Sequence, residues 1–329
     1  MTLPARPSPS SQPAAQPVPL LLVGHGTRDH TGVATYLDFV GRMQTRLASR
    51  DVSVAGGFIE LSAPPLKEAV GALVEAGHRQ LAAVPLVLVS AGHGKGDIPG
   101  AMQREQLRHH GLGYRYGRPL GPHPRLLETV AERVDATLGD AGPCAAGREG
   151  TAVVLVGRGS SDPDANAEIH KMARLLWEGR GYDFVEPSFV SLAWPSVPQA
   201  LERARRLGAS RVVVAPYFLF PGVLPDRLAR QTREFAEAHE GLDVRVADVI
   251  GDCDALADVV AERYEETLAG DIRMNCDTCI YRIEMPGHEH RVGEPQRPHH
   301  HPDDPAHHHA PDVAPDVAPD VAHGHAHAH

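Results

Sequence analysis

The chain has 329 residues, with 42 acidic and 32 basic side chains and a formal net charge of −10 at pH 7. Because nucleic-acid binding needs a basic surface, this charge argues against a general role on DNA or RNA. The longest apolar stretch, Leu81–Val89, is far too short for a membrane helix, and four cysteines in so long a chain do not form a disulfide framework. Residues 1–17 are rich in Pro, Ser and Ala but lack the basic start and apolar core of a signal peptide, so we expect a disordered leader and a cytoplasmic protein.

The first half of the chain alternates apolar strands with amphipathic helices. Leu20–Val23 is a short apolar run followed by Gly-His-Gly, which is typical of a buried parallel strand leading into a loop. Further strands are predicted at Val52–Ile59 and Leu81–Val89, and helices at Tyr36–Ala48, Leu66–Ala76, Ile98–His109 and Leu126–Leu138. This β-α-β-α-β-α order predicts a doubly wound parallel sheet, in which ligands lie at the carboxyl ends of the strands.

A Gly-, Pro- and Ala-rich linker at 141–150 precedes a second copy of the same pattern. Its predicted strands are Thr151–Val156, Val185–Leu192 and Arg211–Phe220, and its predicted helices are Val197–Leu207, Asp226–Glu240 and Ala255–Leu268. Each copy is long enough to bury its own core. We therefore predict two tandem doubly wound α/β domains at 18–140 and 151–270, related by internal duplication.

Three polar residues distinguish the first copy from the second. Three motifs recur in matched form: Val23-Gly-His25-Gly as Val156-Gly-Arg158-Gly, Phe58-Ile-Glu60-Leu as Phe189-Val-Ser191-Leu, and Val89-Ser-Ala-Gly-His93 as Phe220-Pro-Gly-Val-Leu224. The second copy thus lacks both histidines and the carboxylate. Because a duplicated fold needs both scaffolds but chemistry needs one site, we predict a functional site in the first copy only.

Each of these residues lies at or just past the end of a predicted strand, so all three can face one cleft. Two imidazoles and a carboxylate suit a borderline divalent metal such as cobalt, nickel, iron or zinc, and they also suit proton removal near neutral pH. Simpler alternatives are a tight turn around His25, a capping carboxylate at Glu60, and a phosphate-cradling loop at Gly92–Asp97. However, neither glycine-rich loop has the spacing of a P-loop or of a dinucleotide fingerprint.

These motifs resemble those of the sirohydrochlorin cobaltochelatase (CbiX) family. The resemblance rests on Val23-Gly-His25-Gly-Thr-Arg28-Asp29, on Glu60-Leu-Ser-Ala-Pro64, and on Pro85-Leu-Val-Leu-Val-Ser-Ala-Gly-His93 followed by Asp97-Ile-Pro. It covers about residues 18–285 and is similar to the long form, in which two class II chelatase domains are fused; the ferrochelatase SirB is a relative. The resemblance implies insertion of a divalent metal into sirohydrochlorin without ATP, with His25 and His93 handling the metal and Glu60 at the acidic position.

The sequence does not fix which divalent metal is inserted. We favour Co²⁺ and a place in cobalamin biosynthesis, with Fe²⁺ insertion for siroheme as the alternative and Ni²⁺ as a further candidate. A non-catalytic metal storage or chaperone protein with the same fold is the alternative from another class. Arg28, Lys95 and Arg104 are candidate partners for the substrate's carboxylates. Trp194, Tyr217 and Phe218 are predicted to be core residues rather than a wall beside the ring.

The segment 271–285 contains a Cys-x-x-Cys motif, Cys276 and Cys279. A redox pair is one interpretation, but the motif is not at an early strand-to-helix junction, and a zinc site would need a second pair. The family resemblance implies a [4Fe–4S] cluster, which usually takes four thiolates. Cys144, Cys253, another ligand type or a second subunit in a homodimer would then complete the ligands.

Residues 286–329 are dominated by Pro, Asp, Ala and His, and we expect them to be disordered. A solvated end is the simple interpretation. Since clustered imidazoles bind cobalt, nickel or zinc, we favour a metal reservoir or delivery arm.

Overall fold

The computed structural model describes residues 16–139, 148–273, 279–284 and 287–294. Within them, each half contains four strands and four α-helices. The first half comprises β1 (Leu20–Gly24), α1 (His30–Leu47), β2 (Val54–Phe58), α2 (Leu66–Glu75), β3 (Gln80–Pro85), α3 (Ile98–Arg108), β4 (Gly113–Tyr116) and α4 (Pro124–Leu138). The second half comprises β5 (Thr151–Gly157), α5 (Pro163–Trp177), β6 (Phe184–Phe189), α6 (Val197–Arg206), β7 (Arg211–Pro216), α7 (Val223–Ala238), β8 (Asp243–Val246) and α8 (Asp254–Ala269).

Each half forms a parallel four-stranded sheet, with strand orders β2-β1-β3-β4 and β6-β5-β7-β8. The central strands β1 and β5 are buried along their whole length, because helices cover both faces of each sheet. The predicted fold class of two parallel-sheet α/β halves is therefore confirmed.

Four predicted strands run past the observed ends, two of them by four residues. The strands expected to run to Val89 and Phe220 end at Pro85 and Pro216. The apolar run continues past the hydrogen-bonded strand because residues such as Leu86 remain buried in the loop beyond it. An apolar run reports burial, and burial alone does not mark where strand pairing stops.

Three elements were not predicted. The edge strands β4 and β8 are only four residues long and partly exposed, so they carry no continuous apolar signal. Helix α5 was also missed, although Asp162 caps it by accepting a hydrogen bond from the Asp164 N–H and Pro163 occupies its first position. Helix α1 starts earlier than expected for the same reason, since Asp29 accepts hydrogen bonds from two N–H groups of its first turn.

The last helix of each half packs on the other half. Helix α8 lies against β3, β4 and α1, whereas α4 lies against β7 and α5. The buried Arg263 of α8 donates to the carbonyl oxygens of Pro119 and Leu120, and Arg133 of α4 donates to that of Ile250. Each sheet therefore has one covering helix that comes from the other half of the chain.

This exchange produces one shared core between the sheets and one outer core on each side. The shared core includes Leu20 and Leu22 of the first sheet, Val153 and Leu155 of the second, and Tyr264 of α8. Helices α2 and α3 cover the outer face of the first sheet, and α6 and α7 cover that of the second. The described helices include none with the length and apolar character needed to cross a membrane.

Candidate metal site

His25 and Glu60 are brought together by the carboxyl ends of β1 and β2. The ladder between these strands continues into the loops, because the Glu60 N–H donates to the His25 carbonyl at 3.1 Å. Gly26 has φ of 106°, and a Cβ there would lie 1.8 Å from the Glu60 carbonyl oxygen, so this approach requires glycine. As a result, Nε2 of His25 lies 2.9 Å from Oε1 of Glu60.

The hydrogen bonding of His25 leaves Nε2 directed at Glu60, and this nitrogen is buried. Its Nδ1 lies 2.9 Å from the Gly26 carbonyl oxygen, which only accepts, so Nδ1 carries the proton in the neutral ring. The contact from Nε2 to Glu60 is short, but it is not aligned as a hydrogen bond. A ring lone pair and a carboxylate oxygen at this distance are favourable together only with a proton or a cation nearby.

His93 begins a π-helical turn, His93–Asp97, that leads into α3. The turn is closed by a hydrogen bond from the Ile98 N–H to the His93 carbonyl and is held from the side by the Tyr116 hydroxyl, which donates to the Gly94 carbonyl at 2.9 Å. Nδ1 of His93 lies 2.5 Å from Oδ2 of the buried Asp97. The segment considered above as a phosphate-cradling loop is thus a helical turn that specific contacts hold in place.

The environment of His93 favours the neutral ring. Burial lowers the pKa of His93 below the ordinary 6.5, while its hydrogen bond to Asp97 acts in the opposite direction and the charges of His25 and Arg158 add to the lowering. With Nδ1–H donated to Asp97, Nε2 is the ring nitrogen that carries the lone pair, as a metal ligand requires. A histidine whose second nitrogen is held by a carboxylate is the usual arrangement of a metal ligand.

The π-helical turn comes from one extra residue in the first half. Pro85 and Pro216, which end β3 and β7, are 131 positions apart, whereas Gly113 and Asp243, which begin β4 and β8, are 130 apart. The insertion falls in the stretch that contains the turn, and α7 starts as a regular α-helix at the matched place. Such turns concentrate at functional sites because they redirect side chains.

The structure brings the three predicted site residues into one cluster. The rings of His25 and His93 meet edge to face, with their centroids 4.1 Å apart, and Glu60 contacts His25. Among the described residues, no group of three His, Cys, Asp or Glu side chains is already arranged as a complete set of metal ligands. The side chains of His25, Glu60 and His93 therefore lie close together, but their donor atoms do not yet surround one metal position. Sequence reasoning missed Asp97, which lies four residues after His93 and holds its Nδ1.

The second half reproduces the backbone of this site with different side chains. The Ser191 N–H donates to the Arg158 carbonyl at 3.0 Å, and a Cβ at Gly159 would lie 1.8 Å from the Ser191 carbonyl oxygen. The pKa of Arg158 falls below its ordinary value, mainly because surrounding protein desolvates the guanidinium, with the charge of Glu60 opposing the change. The side chain nevertheless keeps contact with solvent.

Lys95 is not available to a substrate, contrary to the sequence-based expectation. Its Nζ lies 2.6 Å from Oδ2 of Asp162 and 3.1 Å from Oδ2 of Asp164, and only 6% of its side chain is exposed. The sequence around Lys95 does not show these two ion pairs, because both carboxylates lie on the other half of the chain. Of the other two cations considered, Arg28 is exposed and Arg104 is half-buried.

Trp194 is the one wrong member of the predicted core set, since it is 73% exposed on the loop after β6. Tyr217 is buried as expected, with its hydroxyl donating to the Gly121 carbonyl, and Phe218 packs against the outer core of the second half. Burial preference does not locate an aromatic residue that lies on a loop.

The cysteine motif is only partly described. Cys279 is buried and Cys253 is partly buried at the start of α8, and both are free thiols. Cys276, Cys144 and the histidine-rich tail lie outside the described residues.

The fold and the His-Glu-His cluster of the first half define a duplicated chelatase-type α/β protein. The chain belongs to the CbiX family, whose model matches residues 19–137 and 152–267 and therefore both halves. It is 36% identical to the sirohydrochlorin cobaltochelatase of Priestia megaterium, over 82% of this chain and 86% of that protein, and 30% identical to a sirohydrochlorin ferrochelatase of the same organism, over 76% and 90%.

Solved structures show the same relationship. SirB from Bacillus subtilis with Fe³⁺ matches with a TM-score of 0.65 and 28% identity, over 77% of this chain and 96% of that one. SirB from Bacillus subtilis subspecies spizizenii in complex with cobalt matches with a TM-score of 0.62 and 26% identity, over 76% and 95%. The predicted family and fold are confirmed.

Proposed function

We propose that this chain is a sirohydrochlorin chelatase that inserts Co²⁺ into sirohydrochlorin and releases two protons, in cobalamin biosynthesis. The observation that carries the proposal is the pair of imidazoles that meet edge to face beside Glu60, each with its Nδ1 held by an oxygen acceptor so that Nε2 carries the lone pair. The 36% identity to a cobaltochelatase along most of the chain supports the same activity.

Metal capture is the first step. His25 and His93 offer two nitrogen donors, which suit a borderline divalent ion and displace part of its water shell. Two protein ligands leave several coordination positions open, so the pyrrole nitrogens of the substrate can enter as the ion leaves the imidazoles. A site with more protein ligands would hold the metal too firmly to release it.

Proton release is the second step. Each of two pyrrole N–H bonds breaks as a metal–nitrogen bond forms, so two protons must leave the ring for each metal that enters. Glu60, 2.9 Å from His25, is placed to accept one of them. An imidazole that has just given up the metal regains its lone pair and can take the other, after which solvent restores the site.

A steady-state insertion assay tests the proposal. Purified protein is mixed with sirohydrochlorin and Co²⁺, Fe²⁺ or Ni²⁺, and the absorbance change is followed for wild type, His25→Ala, His93→Ala and Glu60→Gln. We expect each substitution to reduce cobalt insertion by about 100-fold or more, since each removes a ligand or a proton acceptor. The exposed His110→Ala serves as the control variant and should insert cobalt at the wild-type rate.

Two results would redirect the proposal. Faster turnover with Fe²⁺ than with Co²⁺ at equal free metal would favour the ferrochelatase alternative, which the 30% identity to a ferrochelatase supports. Metal binding without any rate above the spontaneous reaction would favour storage or delivery instead of catalysis.

A [4Fe–4S] cluster on Cys276 and Cys279 is a separate proposal. Two thiolates from one chain are half of the usual set, so a homodimer in which two copies face each other could complete it. The chelation steps above do not pass through this group. Iron and sulfide analysis of anaerobically purified protein, with Cys276→Ser and Cys279→Ser compared, tests the proposal, and sedimentation gives the oligomeric state.

A further inference from the structure

Arg158 occupies in the second half the place that His25 occupies in the first. Both residues follow a buried central strand, β1 or β5, and both are followed by a glycine with positive φ. In both halves a Cβ at that glycine would lie 1.8 Å from a carbonyl of the neighbouring loop. The two side chains therefore start from equivalent backbone positions, one with a metal-binding imidazole and the other with a permanent positive charge.

The two loops approach each other because the carboxyl edges of the two sheets meet at the site. On one side, Lys95 pairs with Asp162, four residues after Arg158. On the other side, a Cβ at Gly32 would lie 2.5 Å from the carbonyl oxygen of Pro221. These contacts bring the carboxyl edges of the two sheets together, and the first one places the segment after Arg158 against the turn that carries His93.

The guanidinium of Arg158 interacts electrostatically with the cluster of His25, Glu60 and His93. Its electrostatic interactions are with Glu60 and with His93, both in the other half of the chain. Within the described part of the chain, its guanidinium forms no hydrogen bond and no ion pair. Several other arginines of the same half are paired, as Arg148 is with Asp135. A solvent-reachable guanidinium beside the cluster is therefore free for a ligand.

We propose that Arg158 binds a peripheral carboxylate of the tetrapyrrole substrate and so orients the macrocycle over His25 and His93. The inference rests on the proposed function, because sirohydrochlorin supplies the carboxylates. A guanidinium recognises a carboxylate with two parallel hydrogen bonds, which fix orientation as well as affinity. The degenerate half would then contribute substrate binding at the position where the first half contributes metal handling.

The test separates substrate binding from chemistry. Metal-free sirohydrochlorin is titrated into wild type, Arg158→Gln and Arg158→Lys, and Kd is read from its fluorescence at two salt concentrations. We expect Arg158→Gln to raise Kd about tenfold, as for the loss of one charged hydrogen bond at a partly exposed site, and to weaken the salt dependence. Arg158→Lys should regain part of the affinity, because lysine keeps the positive charge but cannot form the two parallel hydrogen bonds of a guanidinium.

Kinetics and a control complete the experiment. At saturating substrate, the rate of cobalt insertion by Arg158→Gln should fall by a smaller factor than Kd rises, since the metal ligands and the proton acceptor are unaltered. Arg174→Gln is the control, because Arg174 is exposed at the far end of α5 and pairs with Glu178. It should leave both Kd and rate unchanged.

Three results would overturn the inference. An unchanged Kd in Arg158→Gln, while wild type binds and inserts cobalt, would refute the role of Arg158 and leave the proposed function intact. A fall in the saturated rate with unchanged Kd would assign Arg158 to the metal step instead. A wild-type protein that neither binds sirohydrochlorin nor inserts a metal would refute the proposed function and this inference together.

Discussion

At the residue scale, the behaviour of His93 depends on Asp97. The buried carboxylate accepts the Nδ1–H of His93 at 2.5 Å, which fixes the ring and raises the basicity of Nε2. Asp97→Asn keeps the size but removes the charge, so we expect kcat/KM for cobalt to fall about 10–100-fold, as for other partners of metal-binding histidines. Insertion kinetics at varied Co²⁺ concentration measure the effect.

The control for Asp97 comes from the other half. Asp226 lies in the first turn of α7, the counterpart of α3, and it is exposed. Asp226→Asn should insert cobalt normally. Normal kcat/KM in Asp97→Asn would show that the carboxylate only supports the turn and does not tune the histidine.

Some residues of the site can be identified from the sequence alone, and others cannot. His25, Glu60 and His93 were predictable because a second copy of the fold lacks all three, so a comparison within the chain separates chemistry from packing. Asp97 was not, since its role depends on a π-helical turn that no periodicity signals. The placement of Arg158 depends on how the two halves meet, which a repeat comparison does not contain.

At the element scale, the π-helical turn is a one-residue difference between two otherwise matched helices. Deletion of Gly96 restores the length found at α7, so we expect a regular helix with Asp97 three residues after His93 instead of four. The ring would lose its carboxylate partner, and cobalt insertion should fall about 100-fold. The fold should persist, because the second half forms the same sheet without this residue. Circular dichroism and the insertion assay test both parts.

A length-preserving change provides the control for this deletion. Gly92→Ala lies at the start of the same turn, where φ is −46° and a Cβ would meet no atom within 4 Å. It should retain activity. Full activity after deletion of Gly96 would show that the turn does not position His93.

Element boundaries were harder to predict than element types, and for a physical reason. The central strands were identified because they are apolar throughout, but the strand expected to end at Val89 stops at Pro85, since buried loop residues extend the apolar run. The edge strands β4 and β8 were missed because short, half-exposed strands have few apolar residues. Helix α5 was predictable in principle from Asp162-Pro163, a capping residue followed by a proline.

At the scale of the whole molecule, Glu168 makes the contact between the halves sensitive to pH. It lies on α5 and accepts a hydrogen bond from the Ser90 N–H at 3.2 Å, and burial raises its pKa from 4.5 to about 7. The folded state holds the proton of Glu168 more tightly than the unfolded state does. Its contribution to the free energy of unfolding is therefore complete below about pH 4.5 and is lost as the pH rises through about 7.

Glu168→Gln tests this dependence. The amide keeps a hydrogen-bond acceptor but cannot ionise, so at pH 8 we expect the variant to be more stable than wild type by about 1–2 kcal/mol, after allowance for partial solvent access. At pH 4 the two proteins should unfold at similar denaturant concentrations. Glu178→Gln, at the exposed end of α5, should show no such pH-dependent difference. A constant difference between Glu168→Gln and wild type at all pH values would contradict the raised pKa.

The exchange of α4 and α8 makes each half depend on the other for its core. Residues 1–139 alone would lack α8 over β3 and β4, and residues 148–329 alone would lack α4 over β7. Each half would then expose the apolar inner face that now belongs to the shared core, where Leu22 and Val153 are fully buried. We therefore expect either fragment to aggregate when it is produced alone.

Co-expression of the two fragments tests this dependence directly. Both covering helices are then present, so the fragments should purify together in a 1:1 complex that inserts cobalt, with separate chains in place of the 140–147 connection. The matched control ends the first fragment at residue 122, before α4, and should fail to capture the second because the core over β7 is left open. If residues 1–139 alone were a folded monomer with a cooperative unfolding transition, the exchanged helix would not be required for the first sheet, and each half would be an independent domain.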